Sequence, residues 1–332
     1  MSLPRAARQA ALSAGALLLS SISVLAAPGA AEAAPAAYSL LVFPDQGRTA
    51  VYDFIGSATK SVDLTMYELR DTKVVDTLVS REKAGVKVRV ILDATRTAVN
   101  GAAYRALKSA GVGVVYSSSD YVFTHQKTIT VDGAKSLILT GNLDSTYYAT
   151  SRDYGVFDTD AADVAAIEKV FAADYAKTAV TPADGDDLVW SPTDSEEHLL
   201  ALINGAQHSL DLEQLEFGDN TLVDAVVAAE ERGVQVRLVG MNPDRYGSYF
   251  DQVKEAGGKV VTFSSTEGLY IHAKAIVSDY GTPTAKVFAG SENFTDNSLN
   301  NNRELGLIIN SPDVLNGIES TFKTDFAAGT PY

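Results

Sequence analysis

The chain of 332 residues is long enough for two lobes or one large domain, and its 46% hydrophobic content can fill a core. Forty-two acidic against 27 basic residues give a net charge of −15, which opposes the basic footprint on which non-specific nucleic-acid binding rests. With no cysteine there is no disulfide framework, thiolate nucleophile or cysteine metal site, and a mean hydropathy of +0.01 argues against a multi-span membrane protein.

Residues 1–34 read as a secretory signal. Arg5 and Arg8 form a basic start, Ala10 to Ala27 an apolar run centred on Leu17, Leu18 and Leu19, and the small residues at Ala26, Ala31 and Ala33 offer cleavage contexts. The competing reading is an uncleaved N-terminal anchor. No later segment approaches the roughly 18 apolar residues of a spanning helix, so a secreted, soluble mature chain is expected.

Beyond the signal, the chain repeats itself. Lys60-Ser61-Val62-Asp63-Leu64 lies over His208-Ser209-Leu210-Asp211-Leu212, and Ala84-Gly85-Val86-Lys87-Val88-Arg89-Val90 over Arg232-Gly233-Val234-Gln235-Val236-Arg237-Leu238, at a shift of 148. Self-similarity at so long a period signals a duplicated domain. Each copy alternates strands and helices. Ser61–Glu68 and Ser209–Glu216 are predicted strands. Asp71 and Asp219 stand where helix N-caps belong, and Gly85 and Gly233 where the same helices end. Val86–Leu92 and Val234–Val239 are the next strands. A second helix follows in each copy, ending near Gly111 and Gly257. This pattern predicts an α/β fold of two similar α/β/α lobes. The first lobe is placed at 38–180 and the second at 181–332, with a linker-like stretch at Lys177–Asp194. Its acidic run, Asp184, Asp186 and Asp187, reads as a solvated loop ahead of a metal site.

The chemistry concentrates in a second repeated pattern. Thr124-His125-Gln126-Lys127 with Asp132 recurs as Ile271-His272-Ala273-Lys274 with Asp279, and the chain has only four histidines. On a strand, residues two apart face the same way, so each histidine is expected to project with its lysine. Asp132 and Asp279 fall on the opposite parity, and Gly133 after Asp132 is a hairpin signal; both aspartates are expected to be structural. His198 and His208 read as ordinary surface or core histidines. Asn142 matches Asn293, and Asp153 matches Glu304. Each copy therefore supplies one histidine, one lysine, one amide and one carboxylate. Lysines and amides neutralise a phosphate, a neutral imidazole attacks phosphorus, a second imidazole protonates the leaving alkoxide, and carboxylates orient the rings. The scheme needs neither metal nor cofactor. Glu68 and Glu216 are matched as well, either as cleft residues or as acids at helix starts.

The doubled His-x-Lys-x4-Asp pattern resembles the phospholipase D superfamily over nearly the whole mature chain, from about Leu41 to Ile309. The resemblance implies two lobes related by a pseudo-twofold axis with one active site at their interface. It implies that His125 is the nucleophile and His272 the general acid/base. Lys127, Lys274, Asn142, Asn293 and Ser291 would hold the phosphate, and Asp153 and Glu304 would support the histidines. The first copy departs from the family pattern with Thr140-Gly141 where Gly-Ser is preferred and Asp153 where glutamate is usual. That shorter carboxylate is expected to alter the geometry of the first lobe. One chain already holds a complete site, so no obligate protein partner is expected.

Site chemistry alone does not choose the phosphodiester. Export removes nucleotide-activated lipid precursors, which disfavours a synthase. The acidic chain disfavours a nuclease, although the short mature chain leaves less loop material for a lipid-binding rim. Aromatic residues near the motifs (Tyr121, Phe123, Tyr147, Tyr148, Tyr246, Tyr249, Phe250, Phe263 and Tyr270) suit a lipid–water interface, or else are core residues. The expectation is a phospholipase D-type enzyme acting on phospholipid at a membrane or micelle surface, by hydrolysis or transphosphatidylation. The alternatives are a metal-independent endonuclease acting on nucleic acid, and a catalytically inactive binding protein.

Overall fold

The computed structural model describes residues 36–264 and 268–332 together with Met1. The expected export segment from Arg5 to Ala33 lies outside the described residues.

The first lobe runs β1 (Tyr38–Phe43), α1 (Thr49–Gly56), β2 (Ser61–Met66), α2 (Thr72–Lys83), β3 (Lys87–Leu92), α3 (Thr97–Ser109), β4 (Gly113–Tyr116), β5 (Thr128–Val131), β6 (Lys135–Leu139), β7 (Ser151–Asp158) and α4 (Ala161–Ala176). The second runs β8 (Leu188–Ser191), α5 (Ser195–Gly205), β9 (Ser209–Gln214), α6 (Asn220–Glu231), β10 (Gln235–Met241), α7 (Pro243–Glu255), β11 (Lys259–Phe263), β12 (Tyr270–Ile271), β13 (Lys274–Ser278), β14 (Lys286–Gly290), α8 (Asp296–Asn300), β15 (Glu304–Ile309), α9 (Pro312–Ala328) and β16 (Thr330–Pro331). The sheets share one order: β1-β7-β6-β5-β2-β3-β4 in the first, and β8-β15-β14-β13-β9-β10-β11 with β16 added at the edge in the second. Strands β2, β3 and β4 are parallel, as are β9, β10 and β11, while the rest of each ladder is antiparallel, which makes two mixed α/β sheets.

Local chemistry accounts for the boundaries. Asp71 caps α2 by accepting from the amides of Lys73 and Val74, and Asp219 caps α6 by accepting from Leu222. Gly85 and Gly233 follow these helices at φ +89°, a conformation that L side chains rarely adopt. The linker-like stretch is shorter than the sequence implies. Leu188–Ser191 forms the wholly buried strand β8, paired with β15 as β1 is with β7. Four apolar-rich residues between acidic and proline-containing flanks carry too little periodicity to be recognised. Asp184, four residues before β8, lies with Asp194 and His198, their ligand-type atoms within 4.8 Å of one another.

One face of each sheet is covered by its own helices: α1, α2 and α3 in the first lobe, α5, α6 and α7 in the second. The opposite faces share a core between the lobes. Ile138, Tyr154 and Val156 of the first sheet and Ile167 and Val170 of α4 pack with Trp190, Ala275, Val287 and Leu305 of the second and Ile318 of α9. Burying such side chains contributes roughly 1.5–3 kcal/mol each, so this shared layer fixes the lobes as one body. Two polar crossings add register. Arg152 on β7 makes a bidentate pair with Asp325 of α9 at 2.5 and 3.0 Å, and Arg303, beside β15, pairs with Asp174 of α4 at 2.9 and 3.2 Å. The two pairs occupy equivalent places in the repeat.

Candidate active site

The strands of one lobe reach into the other where the histidines stand. Strand β12 pairs with the start of β7, Tyr270 against Ser151 and Ile271 against Arg152. A matching bridge joins Thr124 to Arg303. The amides of His125 and Gln126 both donate to the Arg303 carbonyl at 2.9 Å, and the His272 amide donates to the Arg152 carbonyl at 3.1 Å. His125 and Lys127 therefore stand in an extended lead-in just before β5, and His272 just before β13, rather than inside a strand as the spacing predicts. Their backbone hydrogen bonds are made across the lobe interface, which brings both histidines to one cleft of about 430 Å³.

The carboxylates are crossed between the lobes. Nδ1 of His125 lies 2.6 Å from Oε2 of Glu304, and Nδ1 of His272 lies 2.9 Å from Oδ1 of Asp153. An ionised carboxylate only accepts, so each Nδ1 carries the hydrogen and each Nε2 keeps its lone pair. This corrects the expectation for Asp153: the shorter carboxylate serves the histidine of the second lobe, not its own. Thr140 and Ser151 donate to Asp153 at 2.8 and 2.5 Å. Ser298 and Asn302 donate to the other oxygen of Glu304 at 2.6 and 2.9 Å. Ser151, Ser298 and Asn302 were not singled out from the sequence, where the signal was their place two to six residues before Asp153 and Glu304; Thr140 was visible only as a departure from the family pattern.

Electrostatics follow from burial. His125 is pushed down to about 4, chiefly because burial penalises its charge, with Glu304 opposing. Burial and then the Lys274 charge push His272 down, with Asp153 opposing. Burial also lowers both lysines, Lys127 to about 7. Burial works against ionisation of Asp153 and Glu304, but His272 beside the one and His125 beside the other hold both carboxylates below the usual range. The lysine ammonium groups are aimed by the backbone: Lys127 donates to the His125 carbonyl, and Lys274 to the carbonyls of His272 at 2.6 Å and Thr140 at 3.3 Å. Neighbouring Glu292 is fully buried and is held well above the usual carboxylate range by burial and by Glu304.

Asn142 and Asn293 line the cleft, and the Oδ1 atom of each is buried with no hydrogen-bond partner among the described residues. An orphaned amide oxygen calls for a donor, such as a bound water or an alcohol hydroxyl, while the Nδ2 groups of the same amides are the atoms able to donate to a phosphate. Ser291 does not join them. Its hydroxyl accepts from the Leu305 amide at 3.1 Å and reaches the Leu305 carbonyl at 3.4 Å, so its bonding is spent on β15 behind the cleft. Asp132 and Asp279 lie at the far ends of β5 and β13. Each accepts backbone amides of the turn before the neighbouring strand: Thr59, Lys60 and Ser61 for Asp132, and Gln207, His208 and Ser209 for Asp279. Glu68 and Glu216 line the cleft, paired with Arg96 and, at 3.8 Å, with Arg245. Of the aromatics, Phe123, Tyr147, Tyr148 and Tyr270 line the cleft with Tyr67, whereas Tyr246 and Phe250 are buried in the second core and Tyr121 accepts from Arg303.

A family model described as "Cardiolipin synthase, PLD-like domain" matches residues 51–175 and 199–326. The chain is 23% identical to cardiolipin synthase 2 of Bacillus anthracis over 85% of this chain and 63% of that protein, so it spans less than two thirds of that curated relative. Among solved structures, it superposes on a phosphatidylserine synthase from Haemophilus influenzae with a TM-score of 0.68 at 12% identity, covering 87% of this chain and 86% of that one. A polyphosphate kinase from Porphyromonas gingivalis also gives 0.68, at 17% identity, over 87% of this chain and 50% of that one. At these identities the structural likenesses speak to the fold.

Proposed function

Because the chain belongs to the phospholipase D superfamily, we propose that its cleft is the active site of a phosphodiesterase that cleaves or exchanges the head group of a glycerophospholipid. The observation that carries this reading is the pair of crossed histidine–carboxylate couples, each with an Nε2 that has no hydrogen-bond partner among the described residues, beside two buried lysines.

The bound phosphodiester carries its negative oxygens toward Lys127, Lys274, Asn142 and Asn293. Nε2 of His125 attacks phosphorus, and the P–O bond to the departing alcohol breaks as His272 delivers a proton to that oxygen. The product is a phosphohistidine ester on His125. His272, now neutral, takes a proton from water or from a second alcohol, whose oxygen attacks phosphorus and releases His125. Water gives hydrolysis; an alcohol gives transfer. Burial lowers the pKa of His272, so the negative charge of the bound phosphodiester must raise the affinity of its Nε2 for the solvent proton that it then delivers. Relatives named as cardiolipin synthases favour the transfer branch.

Lipid is preferred over nucleic acid on the lining of the cleft. Apart from Lys127 and Lys274 behind the histidines, its charged lining is Glu68, Asp144, Asp153 and Glu216 with Arg48 and Arg245, which offers no extended basic track for a polyanion. Tyr147 is 47% exposed where it lines the cleft, and Val122, next to lining residue Phe123, is 48% exposed, an apolar pair suited to an interface. Among the described residues no helix is long and apolar enough to cross a membrane. We further propose export through the N-terminal signal, on the strength of Arg5, Arg8 and the apolar run after them.

The test offers purified protein phosphatidylglycerol or phosphatidylcholine vesicles with ethanol and, separately, plasmid DNA, each with and without chelator. Phosphatidylethanol or free head group in chelator supports the reading. Nicked DNA with no lipid turnover would replace it with the nuclease.

A further inference from the structure

Arg48 has no role in the scheme above, yet it lines the cleft and is only 7% exposed. Its guanidinium lies 3.5 Å from the centroid of the Phe43 ring and 4.4 Å from that of Tyr148. It makes no salt bridge and no side-chain hydrogen bond among the described residues. The acids nearest in influence are already engaged: Asp153 by His272, Thr140 and Ser151, and Asp71 by the hydroxyls of Tyr52 and Tyr148 at 2.7 and 2.8 Å. A buried cation without an anion is costly, and ring faces offset only part of that cost. The repeat shows that this position is particular to one lobe. Gln46 accepts from the Val42 amide as Asp194 does from the Trp190 amide, which aligns Arg48 with Glu196, whose carboxylate instead accepts from Asn300.

We propose that Arg48 anchors a second anion subsite in the cleft, which takes a second phosphate borne by the alcohol that leaves or accepts. This rests on the phosphodiester reading of the cleft. The two rings cover the guanidinium face, leaving its edge donors for a phosphate held in the manner typical of arginine. Among the described residues the matching position of the second lobe holds Glu196, so the subsite lies on the first-lobe side and the two halves of a substrate enter an asymmetric cleft.

Calorimetric titration of the full chain with glycerol phosphate and with glycerol bisphosphate tests this. Wild type should bind the bisphosphate about tenfold more tightly or better, as expected for an added charge-assisted contact. Arg48→Gln should erase most of that preference, and Arg48→Lys, which keeps the charge and loses the fork, should retain part of it. Equal affinity for the two ligands in wild type, or a parallel loss for both in Arg48→Gln, overturns the proposal; the parallel loss would mean that Arg48 acts through Asp153. If Arg48→Gln does not fold, the side-chain NMR signal of Arg48 in wild type decides: the bisphosphate should move it and the monophosphate should not. Binding requires no turnover. A protein inert toward phosphodiesters that still prefers the bisphosphate contradicts the functional reading and leaves the subsite standing.

Discussion

At the scale of single residues, the account turns on which carboxylate serves which histidine. The repeat aligned Asp153 with Glu304 and His125 with His272, and so made all four legible. It could not show the crossing, because alignment matches like with like along the chain whereas the fold exchanges partners across the lobe interface. The crossing is testable. In Asp153→Asn, the NMR titration of His272 should shift to lower pH, since the Asp153 charge supports its protonated form, while His125 stays in place; movement of His125 instead would contradict the pairing. Activity should fall about a hundredfold or more, the scale of acid–base catalysis by a positioned group. The pH profile follows from the same environment. In the proposed reaction His125 attacks only when neutral, and with a pKa of about 4 it is neutral above that pH. Lys127 binds phosphate only when charged, and at about 7 it loses its charge near neutrality. Turnover of a soluble phosphodiester should therefore rise with pH through about 4 and decline at higher pH, as His272, lowered by burial, loses the proton it must deliver and as Lys127 loses its charge above about 7. Glu304→Gln should move the alkaline limb to lower pH, because the Glu304 charge supports the Lys127 ammonium. A flat profile from neutrality to pH 10 would refute the role given to Lys127.

At the scale of elements, the last letter of the repeated motif is a structural device. Asp132 stands at φ +57° and Asp279 at φ +53°, each gathering amides at the entrance of a central strand, β2 and β9 respectively. Burial opposes ionisation of Asp132, but the Ser61 amide, the Thr59 hydroxyl and the further amides outweigh it and hold the carboxyl at about 2. A carboxyl whose folded value lies below its unfolded value of about 3.9 stabilises the fold above that value, and this contribution is lost as pH falls toward the folded one. Asp132→Asn should thus cost about 1–3 kcal/mol at neutral pH, read as a lower urea midpoint. It should also flatten the loss of stability between about pH 4 and 2. An unchanged midpoint with lost activity would return Asp132 to the chemistry. Strand parity and the glycine that follows made this role readable from sequence. Strand β8 was not readable, because its four residues gain their identity only by pairing with β15, far along the chain.

At the scale of the whole molecule, two lobes form one site because a shared apolar layer and two buried ion pairs hold them in register. Arg152 and Arg303 stand immediately before Asp153 and Glu304 in the sequence, but their partners, Asp325 and Asp174, come together with them only in the fold. Removing Asp325 leaves the buried Arg152 with the largely exposed Asp45 as its remaining acid. Asp325→Asn alone should therefore cost up to about 3 kcal/mol in urea unfolding, and a cycle with Arg152→Met should recover much of it; additive losses would mean that the pair does not couple the lobes. In the proposed reaction His125 and His272, one from each lobe, divide the chemistry of a single site between them. Rapid quenching with phosphate-labelled phosphatidylglycerol followed by peptide mapping tests it most directly. His272→Asn should accumulate label on the peptide containing His125, and His125→Asn should accumulate none. Label on the His272 peptide in His125→Asn, or turnover that survives the loss of either histidine, would contradict the account.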